Sequence, residues 1–134
     1  MVTINWVSRY ETGIAEIDAQ HIRLFEVVNE LIESFRRGDL DGQVTGMVDY
    51  LVTFTREHFR NEEAWMERQG YPGLEVHRKE HQDFIIGISD LKQRIDGGEH
   101  PTIEVTILLA DWLEYHINDQ DQVFAEYTRQ WKAP

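Results

Sequence analysis

The chain has no cysteine, which excludes disulfides, thiolate zinc sites and cysteine-ligated iron–sulfur clusters; any metal must be held by histidine and carboxylate. Positive charge is scarce: 13 Lys and Arg against 25 Asp and Glu give a formal net charge of -12. Such a surface repels phosphate backbones and anionic lipid heads, so neither nucleic acid nor a membrane surface is an expected partner. No stretch approaches the roughly 18 consecutive apolar residues of a membrane span, and Met1 to Tyr10 has no basic segment followed by an apolar run. A cytoplasmic protein without membrane insertion is expected. Repeats, low-complexity tracts and linkers are also absent. At 134 residues, 41% of them hydrophobic, the chain fits one domain with a buried core.

What the sequence does have is helical periodicity. Residues 1–13 are irregular and read as an arm carrying Trp6 and Tyr10. From Ile14 an apolar stripe with steps of three and four runs through Ile17, His21, Leu24, Val28, Leu31 and Phe35. Gly38-Asp39-Leu40-Asp41-Gly42 reads as a short loop. A second stripe follows at Met47, Leu51, Phe54, His58, Glu62 and Trp65, then the breaker Gly70-Tyr71-Pro72-Gly73. The third runs from Leu74 through His77, His81, Phe84, Ile88 and Leu91 to Ile95, stopped by Gly97-Gly98. Pro101 opens a fourth, through Val105, Leu109, Trp112 and His116. The expected fold is all-α, an antiparallel up-down-up-down four-helix bundle with an N-terminal arm and a short C-terminal helix. The expected helices cover about 14–37, 43–69, 74–96 and 101–120, with the short one at about 122–131.

Polar groups interrupt these stripes in a concerted way. Five of the six histidines, His21, His58, His77, His81 and His116, occupy core positions on four different helices, and Glu62 does the same. Leaving each of these buried and unpartnered costs roughly 1–3 kcal/mol. A domain with net stability of about 5–15 kcal/mol cannot easily carry that. A shared metal centre resolves the difficulty. His58 with Glu62 and His77 with His81 are i, i+4 pairs, each on one helix face, and the breaker between them lets the third helix double back on the second. In antiparallel order all six groups fall near one end of the bundle.

Five imidazoles and a carboxylate are too many for one tetrahedral zinc, and calcium or magnesium would want more oxygens. Two octahedrally inclined ions sharing carboxylates fit better, which calls for an acid after His116. On spacing, Asp119 at i+3 is the better choice; Asp121 at i+5 lies about 140° further round and needs a wide turn or a helix end.

The order of a lone His in an apolar helix (Asp18-Ala-Gln-His21), then H-x-x-x-E, H-x-x-x-H and H-x-x-x-x-D, resembles the hemerythrin family, specifically single-domain bacteriohemerythrins. The resemblance runs from Trp6 to Phe124 and selects Asp121 over Asp119. It implies a non-haem di-iron centre with two iron ions and a bridging oxo or hydroxo group. One iron would take His77, His81 and His116 and the other His21 and His58, with Glu62 and Asp121 as bridges. The second iron is then one ligand short, the place where O2 binds reversibly. Leu24, Phe59, Trp112, Leu113 and Ile117 neighbour these positions and are expected to line a dry O2 pocket, Leu113 foremost.

The resulting expectation is a monomeric O2 carrier, store or donor and no enzyme, with any protein that receives the O2 unspecified. A di-iron enzyme acting on peroxide or nitric oxide, or a sensor acting through a partner, are the alternatives. The enzyme reading is weakened because the chain lacks the E-x-x-H motif of carboxylate-rich di-iron bundles. His100 is expected in a solvated loop, and Asp18, Glu57, Glu63 and Asp119 as surface charges.

Overall fold

The structure, a computed structural model, describes residues 5–38, 42–99 and 103–131. The expected His100 loop, the helix start at Pro101 and the centre of the loop at 39–41 lie outside these residues, as does the side chain of Val105.

Helix α1 spans Ala15–Arg36, α2 Gly42–Arg68, α3 Leu74–Asp96, α4 Ile103–Tyr115 and α5 Asp121–Gln130, with one turn of π-helix, His116–Gln120, joining the last two. Helix α1 packs on α2 and α4, and α3 packs on α2 and α4, which closes a four-membered ring. This is the up-down-up-down bundle that the apolar stripes predict. The first three stripes supply much of its interior: Ile17, Leu24, Leu31, Leu51, Phe84, Ile88 and Leu91 are all fully buried. The fourth is shifted by one residue: Thr106, Ala110, Leu113 and Ile117 form the buried face with His116, while Leu109 and Trp112 are only half-buried, because the rotation of the helix about its axis is set by its neighbours.

The reversal between α2 and α3 has a specific cause. Gly70 takes φ +64°, the left-handed conformation that glycine adopts without a Cβ penalty. Tyr71 N–H then reaches Met66 O at 2.9 Å and Gly70 N–H reaches Glu67 O at 3.0 Å, which closes α2 in a Schellman motif.

The arm is fixed at both ends. Tyr10 is buried and packs edge-on against Phe25 at 5.4 Å, with Trp6 against both. Asp18 turns back to the arm instead of standing in solvent, accepting from Thr12 N–H and Thr12 Oγ1–H, both at 2.8 Å. This corrects its expected role as a surface charge: a carboxylate in the first turn of α1 satisfies donors of the chain entering that helix.

The core is divided in two. A large apolar cluster contains Leu24, Phe59, Phe84, Leu113 and Ile117, and a smaller one contains Ile14, Ile17, Met66 and Phe124. On each helix the polar intrusions sit between the two clusters: His21 between Ile17 and Leu24, Glu62 between Phe59 and Met66, Asp121 between Ile117 and Phe124. A single polar layer therefore crosses the bundle between two apolar plugs.

Candidate metal centre

Seven side chains form this layer, and all are buried: His21, His58, Glu62, His77, His81, His116 and Asp121. Two sets have ligand atoms close enough to share a cation. One comprises Glu62, His77, His81, His116 and Asp121; the other comprises His21, His58 and Glu62.

The two carboxylates are oriented in the same way. Glu62 turns Oε1 to His77 (2.8 Å) and His81 (3.1 Å), and Oε2 to His21 (3.3 Å) and His58 (3.4 Å). Asp121 turns Oδ1 to His77 (2.8 Å) and His116 (3.3 Å), and Oδ2 to His21 (3.2 Å). Each carboxylate thus offers one oxygen to the three-histidine side and one to the two-histidine side.

Asp121 gets its place from the π turn. The Asp121 N–H bonds to His116 O, an i to i+5 closure, and the wider turn brings a residue five positions on back to the face of His116. Asp119, the better choice on regular spacing, is exposed. The α5 segment also runs on from the π turn without a break, so α4, the π turn and α5 form one rod.

Three imidazoles have their outward nitrogen assigned. Glu63 Oε2 lies 2.7 Å from His81 Nδ1, Glu80 Oε2 lies 3.2 Å from His116 Nδ1, and Gln20 Oε1 lies 2.6 Å from His58 Nδ1. A carboxylate can only accept, so the Nδ1 of His81 and His116 donates, and in the neutral ring the Nε2 lone pair faces inward. That is the tautomer metal ligation needs. Glu63 was expected to be a surface charge; it is half-buried and also holds Arg78 at 3.0 Å. Its role depends on how α2 sits against α3, which spacing along one helix does not give. Gln20 and Glu80 escaped sequence reading for the same reason.

The inward atoms satisfy one another only in part: Glu62 meets the Nε2 of His21, His77 and His81. Nε2 of His81 and Nε2 of His116 are 3.0 Å apart, two lone pairs facing each other unless a proton or a cation lies between them. Both Asp121 oxygens are buried without an aligned hydrogen bond. Donor atoms that converge on shared points, with poor mutual alignment, fit a cation.

Electrostatics give the same answer. Burial alone would lower the pKa of His21 and His77, but bonds to Asp121 and Glu62 raise both to about 9. Burial and the charge of His21 lower His58, against the pull of Glu62. Glu62 and Asp121 are held well below the carboxylate range despite burial, by the surrounding imidazoles. Without a cation, the charge of the two acids is balanced by protons on histidine.

A pH dependence follows for chain stripped by a chelator. His21 and His77 titrate at 6.5 when unfolded and about 9 when folded. Their stabilisation is therefore fully present below pH 6.5 and lost as pH rises through about 9. The two acids contribute above their unfolded values of 4.5 and 3.8, and that contribution fades as pH falls further. The melting temperature of stripped chain should thus decline from about pH 6.5 to 9, while cation-loaded chain, whose ligands are already deprotonated, should not share that decline. Parallel alkaline slopes would contradict the exchange of protons for a cation.

The outward partners carry their own test. Glu63→Gln removes the charge at His81 Nδ1 and should weaken cation affinity by about 10–100-fold, as measured by chelator competition.

The residues expected to line a pocket are distributed unevenly around this layer. Leu24, Leu113 and Ile117 are buried in the large cluster, Phe59 lies flat on the His81 ring (centroids 3.9 Å apart, 1° between planes), and Trp112 stacks on His116 at 4.8 Å.

The described architecture has close counterparts. The profile of the Hemerythrin HHE cation binding domain matches residues 12–127. A bacteriohemerythrin of Pseudomonas aeruginosa is 33% identical over 129 residues, covering 96% of this chain and 84% of that protein. One from Methylococcus capsulatus is 28% identical, covering 92% and 95%. A crystal structure of wild-type hemerythrin superposes with a TM-score of 0.86 at 26% identity, covering 93% of this chain and 97% of its own.

Proposed function

Since the chain belongs to the hemerythrin HHE cation-binding family, we propose that its buried layer holds two non-haem iron ions and binds O2 reversibly. His77, His81 and His116 would hold one ion and His21 and His58 the other, with Glu62 and Asp121 shared. The observation that carries this reading is the division of both carboxylates, one oxygen to each histidine set. An iron pair supplies the electrons that make O2 binding possible and reversible.

The chain's own residues do the rest. The two-histidine side offers one protein donor fewer, so a small ligand has its place there. Burial of Leu24, Phe59, Leu113 and Ile117 keeps water and protons from that side. Outward bonds to Glu63, Glu80 and Gln20 hold three rings in register, and the Trp112 and Phe59 faces prevent His116 and His81 from rotating. With histidine dominating the donor set, carriage, storage or delivery of O2 is favoured over oxidation of a substrate.

Iron analysis with visible spectroscopy tests the proposal. Iron-loaded chain should show an absorption band in air that bleaches on deoxygenation and returns on re-aeration. Permanent oxidation after a single cycle would overturn reversible binding. Leu113→Ser should leave the iron content unchanged and speed the loss of the oxygenated spectrum; an unchanged rate would remove Leu113 from the pocket.

A further inference from the structure

Beside the polar layer, the side chains of α2 and α3 line an open surface groove of about 440 Å³, within the roughly 300–1,000 Å³ range of small-ligand sites. Its floor is Phe59, which is buried, and its apolar wall is Ile85 and Ile86, the latter 66% exposed. Arg56 and Arg60 stand on the opposite side, and His81 and Glu63 reach its inner end.

The two arginines are unusual in this chain. Every other described Lys or Arg has a partner: Arg78 bridges Glu63 and Glu75, Lys92 meets Asp49 and Asp96, and Arg68 lies over the Trp65 ring. Among the described residues, Arg56 and Arg60 alone have none, in a chain with 25 acids. They are also an i, i+4 pair of like charge, an arrangement that disfavours a helix unless something neutralises it. The one carboxylate at the cavity, Glu63, is already neutralised by Arg78 and His81.

We propose that this cavity binds a small amphipathic carboxylate, its anionic head between Arg56 and Arg60 and its alkyl part on Phe59, Ile85 and Ile86. Two guanidiniums supply charge-assisted donors for the head. The exposed Ile86 and the buried Phe59 face supply apolar surface to cover the tail. The site shares Phe59 with the residues around the O2 side and His81 with the layer, but its anion-binding groups, Arg56 and Arg60, belong to neither. Because His81 and Glu63 close its inner end, an occupant also shields that edge of the layer from solvent.

Calorimetric titration of the whole iron-loaded chain at low salt tests this, with butanoate, hexanoate and octanoate as probes and octanol and inorganic phosphate as controls. Affinity should rise with chain length, by up to about fourfold per methylene. Arg56→Gln combined with Arg60→Gln should cut octanoate affinity at least about tenfold, from the loss of charged hydrogen bonds. Ile86→Asp should weaken octanoate more than butanoate. Unchanged helical circular dichroism would show that both variants still fold; a variant that does not is replaced by Arg60→Lys, for which a smaller loss is expected. The proposal is overturned if wild type and double variant bind octanoate alike, if chain length has no effect, or if octanol or phosphate binds as tightly as octanoate. Binding of an acidic amphipathic peptide with no binding of the carboxylates would assign the groove to a protein partner and equally overturn it.

Discussion

Glu62→Gln is expected to leave the chain with at most one bound ion in place of the pair proposed for the wild type, the largest effect of any single substitution in the layer. Glu62 is the only side chain common to both cation-capable sets, with Oε1 directed to one and Oε2 to the other. Glutamine keeps the volume and the helix but replaces one acceptor oxygen by an NH2 that cannot ligate, and removes one buried negative charge. The two-histidine set would then keep two neutral imidazoles and one Asp121 oxygen, too few donors and too little negative charge to hold a second cation. Metal content after gel filtration reads the result directly. Full iron retention in the variant would defeat the shared-carboxylate assignment. Stripped chain should also melt earlier, because breaking a buried ion pair by removing one partner costs about 3–5 kcal/mol.

Asp121→Asn and Asp119→Asn, made side by side, give the second large effect and its control. Asp121 is buried with both oxygens on imidazole nitrogens, so its amide variant should lose at least about a hundredfold in iron affinity, the upper end of what outer partners of a metal site contribute. Asp119 is exposed, so its variant should stay within about 0.5 kcal/mol of wild type in stability and keep its metal. Chelator competition and thermal melts on both variants decide it. If Asp119→Asn were the damaging change, the π turn would not be what positions the acid.

This pair also shows where the reach of the sequence stops. Regular helical spacing favours Asp119, and nothing in His116-Ile117-Asn118-Asp119-Gln120 signals that the helix widens there. A π turn is rare, and its local cost must be recovered from contacts the segment itself does not display. Here those contacts include the buried imidazoles of His77 and His21, which meet Asp121 from helices more than forty residues earlier in the chain. Family resemblance supplied Asp121; propensity could not.

The outward partners were hidden for a related reason. Glu63 follows Glu62 by one residue, which is about 100° round the helix, and only the seating of α2 against α3 turns it to His81 Nδ1. Gln20 and Glu80 likewise cross from one helix to the ring of another. The Trp112–His116 stack, by contrast, is an i, i+4 relation within one helix and was open to a reading of spacing.

By itself the sequence determined the helices, because a 3.6-residue apolar period has only one way to be buried. It determined the reversal at Gly70, because a left-handed residue is nearly free only for glycine. It determined that polar groups would share one level of the core, because five histidines and an acid fall at matching depths along antiparallel stripes. The tertiary structure alone decided how the oxygens of Glu62 and Asp121 divide between two histidine sets, which nitrogen of each of three rings faces inward, and that Arg56 and Arg60 stand unpaired over an apolar groove. Those depend on the rotation of each helix about its own axis, which a period fixes only to within a face, and side-chain chemistry across an interface is decided by a few degrees of it.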